Sequence, residues 1–149
     1  MKEQVILRTV ARLMVPFIVL FALYVIFHGE GGPGGGFQGG VIIGGAVALH
    51  GMIHGRDPTR THLPKPLWDA LCGLGVAVYA GIGFVCILLG GKMLQYDAAK
   101  DVLFHGDHQH ANHYGVFGVE MGVAITVTAV MCTLYFEIAR PAPRDGDGR

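Results

Sequence analysis

The chain is 149 residues long, 52% hydrophobic and only 15% charged, with 11 Lys and Arg balanced by 11 Asp and Glu. A mean hydropathy of +0.48 with so few charges is the composition of a membrane protein rather than a soluble globule. A net charge of zero leaves no global field to draw in nucleic acid or acidic substrates.

Four apolar segments follow one another, and together they predict one all-α integral membrane domain over 1–149 with four transmembrane helices. The first, about 10–27, reads VARLMVPFIVLFALYVIF. No small-residue A-x-A site follows it, so it is expected to remain in the mature protein rather than to be cleaved as a signal peptide. The second covers about 37–53, the third about 67–89 and the fourth about 114–136. Each is near the ~20 residues that a helix needs to cross a ~30 Å hydrocarbon core. Cys72, Cys86 and Cys132 lie inside these segments without CxxC spacing, which predicts buried small hydrophobes rather than a disulfide or a thiolate metal site.

The cations set the expected orientation. Lys2, Arg8, Arg12, Arg56, Arg60, Lys65, Arg140, Arg144 and Arg149 fall on one side of such a four-span layout, against Lys92 and Lys100 on the other. By the positive-inside rule both termini and the middle loop are cytoplasmic, in the plasma membrane of the cell. The tail 140–149, RPAPRDGDGR, is polar and expected to be disordered.

Between the first two spans lies HGEGGPGGGFQGG, which matches the dinucleotide pattern GxGxxG from Gly29 and again from Gly34. No strand precedes it, no [GK][ST] ending follows, and the orientation puts it outside, away from nucleotides. Pro33 and the glycines must break the helix. The segment is either a tight hairpin turn or a broken segment that lines an ion path with backbone groups. In the second span Gly36, Gly40, Gly44 and Ala48 recur every four residues, with Gly35 and Gly39 beside them. Gly73, Ala77 and Gly81 do the same in the third, and Gly118, Gly122 and Thr126 in the fourth. Such small-xxx-small faces let helices approach closely in lipid, and their number predicts docking into a larger membrane assembly.

Glu120, inside the fourth span, is the foremost ionisable residue. A bare carboxylate there costs about 2.5–3.5 kcal/mol on insertion scales, so it is expected to be protonated, paired or facing water. It is a hydrogen-bonded acid at the interface or a proton- or cation-binding site. His28 and Glu30, in the turn, are further ion-pathway candidates, with simple solvation the alternative for Glu30. Arg12 is expected to snorkel to the headgroups. His50 and His54, four apart, lack a third ligand for a metal. The outer stretch DVLFHGDHQHANHYG, with His105, His108, His110, His113, Asp101 and Asp107, is expected to be a polar loop packed on a partner, with zinc binding or pH sensing as alternatives. No metal site or cofactor is predicted. Without a Ser/His/Asp or Cys/His constellation, paired catalytic carboxylates or a nucleic-acid-binding signature, covalent catalysis and nucleic-acid binding are not expected.

PGGGFQGG, from Pro33 to Gly40, after a span ending in Phe27-His28-Gly29, closely resembles the signature of the B subunit of multisubunit Mrp/Mnh-type sodium/proton antiporters, and FGVEMG, from Phe117 to Gly122, resembles the family's last span. The same domain is similar to the C-terminal part of the large A subunit and to a subunit of membrane-bound hydrogenases. Where the family usually has a histidine, this chain has Glu30. The resemblance implies a small subunit of an assembly that exchanges Na+ for H+, a secondary transporter rather than an enzyme. Its partners would be the large A-type subunit, other small membrane subunits and the bilayer. The motif residues Pro33, Gly34, Gly35, Gly36, Phe37, Gly39, Gly40 and Gly44 would then form a docking signature. The equivalent subunit of a hydrogenase or redox-driven pump, and a purely structural membrane spacer, stay open as alternatives.

Overall fold

The structure, a computed structural model, describes residues 2–29, 34–55, 59, 64–96 and 108–139. Glu30, Pro33, Arg56, Arg60, Lys100, Asp101, His105, Asp107 and the tail 140–149 lie outside the described residues. Four helices are present: α1 (Lys2–Phe27), α2 (Gly36–His54), α3 (Lys65–Leu88) and α4 (His108–Ile138), all long and apolar enough to cross a membrane. All four end close to the predicted bounds, but α1 and α4 start well before them, at residue 2 rather than about 10 and at 108 rather than about 114. The first turns of α4 take in His108, His110 and His113, so this part of the expected polar loop is helical. α1 runs through Pro16 without a break, as membrane helices tolerate when the freed backbone carbonyl finds other partners.

The helices are ordered α1, α2, α4, α3 across the molecule. α2 packs on α1 and on α4, α4 packs on α3, and α1 meets α4 only slightly. Packing partners fix the directions. A β-carbon at Gly36 would strike Glu120, one at Gly44 would strike Met131, and one at Gly51 would strike Tyr135, so α2 and α4 run parallel. Gly39 faces Ile26 and Ala22, so α1 and α2 are antiparallel. The α1–α2 turn, the end of α3 and the start of α4 therefore share one end of the bundle, and α1 starts and α4 ends at the other.

The interior is made of small side chains and the exterior of large ones. Ala11, Ala22, Ala46, Ala111, Ala124 and Ala129 are buried, while Val5, Leu13, Phe17, Leu20, Phe21 and Phe27 of α1 are more than half exposed. In lipid the apolar exterior costs nothing, and close backbone contact supplies the attraction between helices. α2 is the inner helix, with 33% of its most apolar stretch buried against 17% in α1 and α3. At the end remote from the α1–α2 turn a compact cluster forms from Trp68, Ala129, Cys132 and Phe136, with Val47, Leu71, Cys72 and Tyr135 against it. Cys72, Cys86 and Cys132 are free thiols.

The glycine stripe of α2 is spent within the chain. Gly36, Gly40 and Gly44 receive Glu120, Ala124 with Val127, and Met131 of α4, and the Thr128 hydroxyl donates a 3.3 Å hydrogen bond to the Gly40 carbonyl. This corrects the expectation that the stripe serves docking to other subunits, because α4 already fills that face. α3 meets α4 through Gly75, where a β-carbon would strike Thr126 and stand 2.5 Å from the Gly122 carbonyl oxygen. The predicted α3 face is not packed within the chain: nothing lies within 4 Å of a β-carbon at Gly73 or Gly81, and Ala77 and Gly81 line an open groove beside the start of α4.

Candidate functional site: the glycine turn against Glu120

α1 ends at Phe27 with its last carbonyls in need of donors. The His28 N–H donates to the Tyr24 carbonyl at 3.0 Å and the Gly29 N–H to that of Ile26 at 3.3 Å. The Gly35 N–H then reaches back to the Val25 carbonyl at 3.1 Å, which closes the hairpin. Gly35 has φ 124°, a conformation that side chains with a β-carbon avoid. The Gly35 carbonyl accepts the Gly39 N–H at 3.1 Å, the first bond of α2.

The turn is closed onto Glu120. A β-carbon at Gly29 would stand 2.7 Å from both Glu120 carboxylate oxygens, and one at Gly35 would stand 3.2 Å from Oε1. One at Gly36 would overlap the Glu120 backbone carbonyl. Three glycines thus do one job: they let the backbone of the turn and the first turn of α2 approach a carboxylate that is itself half-buried. No side chain caps α2 from its N-cap position, and the N–H groups of its first turn, which have no partner within the helix, and its positive dipole end favour an acidic group there. The Gln38 amide oxygen lies 3.4 Å from the same Gly35 position, a neighbour the sequence reading did not single out.

Beside Glu120 a cavity of about 180 Å³ is lined by Phe27, His113, Tyr114, Phe117 and Glu120. The Phe27 and Phe117 rings in its lining stack on each other, with centroids 5.5 Å apart. His113 joins the site because α4 starts early. It precedes Glu120 by seven positions, two helical turns on nearly the same face. That spacing was visible in the sequence once the histidines were placed on a helix.

The other predicted residues fall out as follows. His28 is exposed, with its ring stacked on Tyr24 at 4.2 Å and outside the lining of the cavity. A β-carbon at Gly34 would stand 2.8 Å from the Val25 carbonyl oxygen, and Phe37 is 60% exposed. His50 and His54 stack at 4.2 Å, and His54 Nδ1 donates to the His50 carbonyl at 3.3 Å, so one ring nitrogen is engaged by backbone. Among the described residues no group of three or more metal-ligating side chains is placed to hold an ion. Beyond the spans, Tyr96 covers Gly115, and burial, then the nearby Cys86 and Tyr79, push its phenol above the usual pKa of about 10.

Residues 6–133 match the model of a family described as a domain related to the MnhB subunit of Na+/H+ antiporter. The chain is 30% identical over 141 residues to "Putative antiporter subunit mnhB2" of Staphylococcus aureus (strain MRSA252), covering 93% of this chain and 97% of that protein. It is 29% identical over 140 residues to the proteins of that name from Staphylococcus epidermidis and Staphylococcus haemolyticus, with the same coverage. The chain, an all-helical protein with four candidate membrane spans, belongs to the MnhB-related family of antiporter subunits.

Proposed function

We propose that this chain is a plasma-membrane subunit of a multisubunit Na+/H+ antiporter, with both termini cytoplasmic, that packs beside the large A-type subunit and contributes Glu120 to a cation or proton pathway. The observation that carries the reading is the closure of the glycine turn on the Glu120 carboxylate. A sequence break between two apolar helices and an acid inside a third come together at one point, and broken helices with ionisable groups are how membrane transporters hold ions. Family membership and the names of the relatives support the antiporter setting. Glu30 and His28, close in sequence to the turn, would attract cations to it.

A second reading has its own observation. Because α2 lacks a side-chain cap, Glu120 could serve only as that cap, a structural acid with no traffic through it. Glu120→Gln separates the two, since glutamine keeps an oxygen acceptor but neither charge nor exchangeable acid proton. In the assembled complex in inverted vesicles, the expected result is normal assembly with Na+-dependent proton transport reduced about tenfold or more. Wild-type transport by an assembled Gln variant would leave Glu120 as a cap alone.

A further inference from the structure

Three things meet beside Glu120: a carboxylate, an imidazole two turns away on the same helix face, and a cavity between them. His113 and Glu120 both line the space of about 180 Å³. Seven positions of α-helix separate their α-carbons by about 10.5 Å, which leaves a gap that waters can bridge. A space of this size has room for several waters, and polar groups at both ends would hold them. The stacked Phe27 and Phe117 rings form an apolar wall beside them. His113 is exposed, whereas Glu120 is half-buried, so the imidazole stands toward the surroundings and the acid toward the turn.

We propose that His113 and Glu120 form a proton relay through this cavity, with His113 as the group that exchanges protons with the surroundings and Glu120 as the acceptor beside the glycine turn. The inference rests on the pathway reading of Glu120. In the inward step a ring N–H of the imidazolium breaks and its proton enters the water chain. At the far end an O–H bond forms on the carboxylate. A cation and an anion become a neutral imidazole and a neutral acid, and no electron moves. Histidine suits the outer position because its ordinary pKa lies near neutrality, and the acid suits the inner one because its neutral form is tolerated in the membrane. The other titratable groups at this end, among the described residues, are Tyr24 and His28 on α1, Cys86 on α3, Lys92 and Tyr96 after it, and His108, His110 and Tyr114 on α4; α2 brings the neutral Gln38. Of these only Tyr114 lines the cavity.

The test uses the complete complex in vesicles and follows Na+-dependent proton transport in His113→Ala, Glu120→Gln and, as control, His110→Ala. His113→Ala is expected to lose about tenfold or more in rate and to regain it when free imidazole, which fits the vacated space, is added. His110→Ala should show neither effect. His113→Gln, which keeps a polar side chain, should assemble as the wild type does and be slow, and it replaces the alanine variant if that one fails to assemble. A wild-type rate in either His113 variant, or a loss in His113→Ala that imidazole does not relieve, would overturn the relay while leaving Glu120 in the pathway. A Glu120→Gln complex that transports normally would remove both readings together.

Discussion

Two glycine stripes with the same spacing have opposite fates in this molecule. On α2, Gly36, Gly40 and Gly44 are buried, and each receives an atom of α4 at a distance that no β-carbon would allow. On α3, Gly73 and Gly81 look onto open space, with the exposed Ala77 between them. The difference lies in the neighbour rather than in the stripe. α4 offers α2 a row of backbone carbonyls and modest side chains, Glu120, Ala124, Val127 and Met131, in matching register. It meets α3 through its own small residues, Gly118 against Ile82 and Gly122 with Thr126 against Gly75, off the Gly73–Gly81 face. A small-xxx-small pattern therefore reports that something can come close, and the chain itself decides whether that something is internal.

The comparison breaks most easily at Gly36. An added methyl there would overlap the backbone carbonyl of Glu120, which cannot swing aside as a side-chain tip would. α2 must then move away from α4 and the turn must open. Gly36→Ala is expected to cost about 3 kcal/mol or more, the upper range for overpacking, seen as a large fall in the melting temperature of the purified chain in mild detergent. Near-wild-type stability would show that α2 and α4 are not in contact at this point.

The α3 stripe predicts a smaller effect of opposite sign. Gly73→Ala and Gly81→Ala meet nothing, and alanine is the better helix former by up to about 1 kcal/mol per site. The isolated chain should melt at the same or a slightly higher temperature. A clear loss of stability in the isolated chain would mean that the face is occupied within it, and the contrast between the stripes would collapse.

Much of this was legible from local sequence. The four spans could be located because apolar runs near 20 residues have no other use, and the break at 28–35 because glycine and proline oppose helix. The early start of α4 was hidden because His108, Gln109, His110 and Asn112 are polar. A helix longer than the hydrocarbon core can carry such residues in its interfacial turn, and α4 has 31 residues. The meeting of the turn with Glu120 was not legible, since two segments some ninety positions apart leave no mark of their proximity in one sequence. What could be read was that each needed an explanation: a glycine-dense break without a nucleotide and an acid in an apolar span. Gly75 was missed because the positions four away on α3 are Leu71 and Tyr79, so it belongs to no small-residue repeat.

The finest distinction concerns how α3 holds to α4 without using its own Gly73–Gly81 stripe. Besides Gly75 it relies on Trp68, 6% exposed and packed with Ala129, Cys132 and Phe136, where bulk replaces close backbone approach. The Trp68 indole Nε1 is buried there without a hydrogen-bond partner among the described residues. Two terms then oppose each other in Trp68→Phe. The smaller ring leaves a void that costs on the order of 1 kcal/mol, while deleting an unsatisfied donor returns about 1–3 kcal/mol of desolvation. The net change is expected to lie between about zero and about 2 kcal/mol of stabilisation, read as an unchanged or higher melting temperature. Trp68→Ala, which keeps neither bulk nor donor, should instead cost about 3–5 kcal/mol. If Trp68→Phe were as damaging as Trp68→Ala, the indole N–H would have to be bonded, and α3 would be fastened by a polar contact rather than by shape.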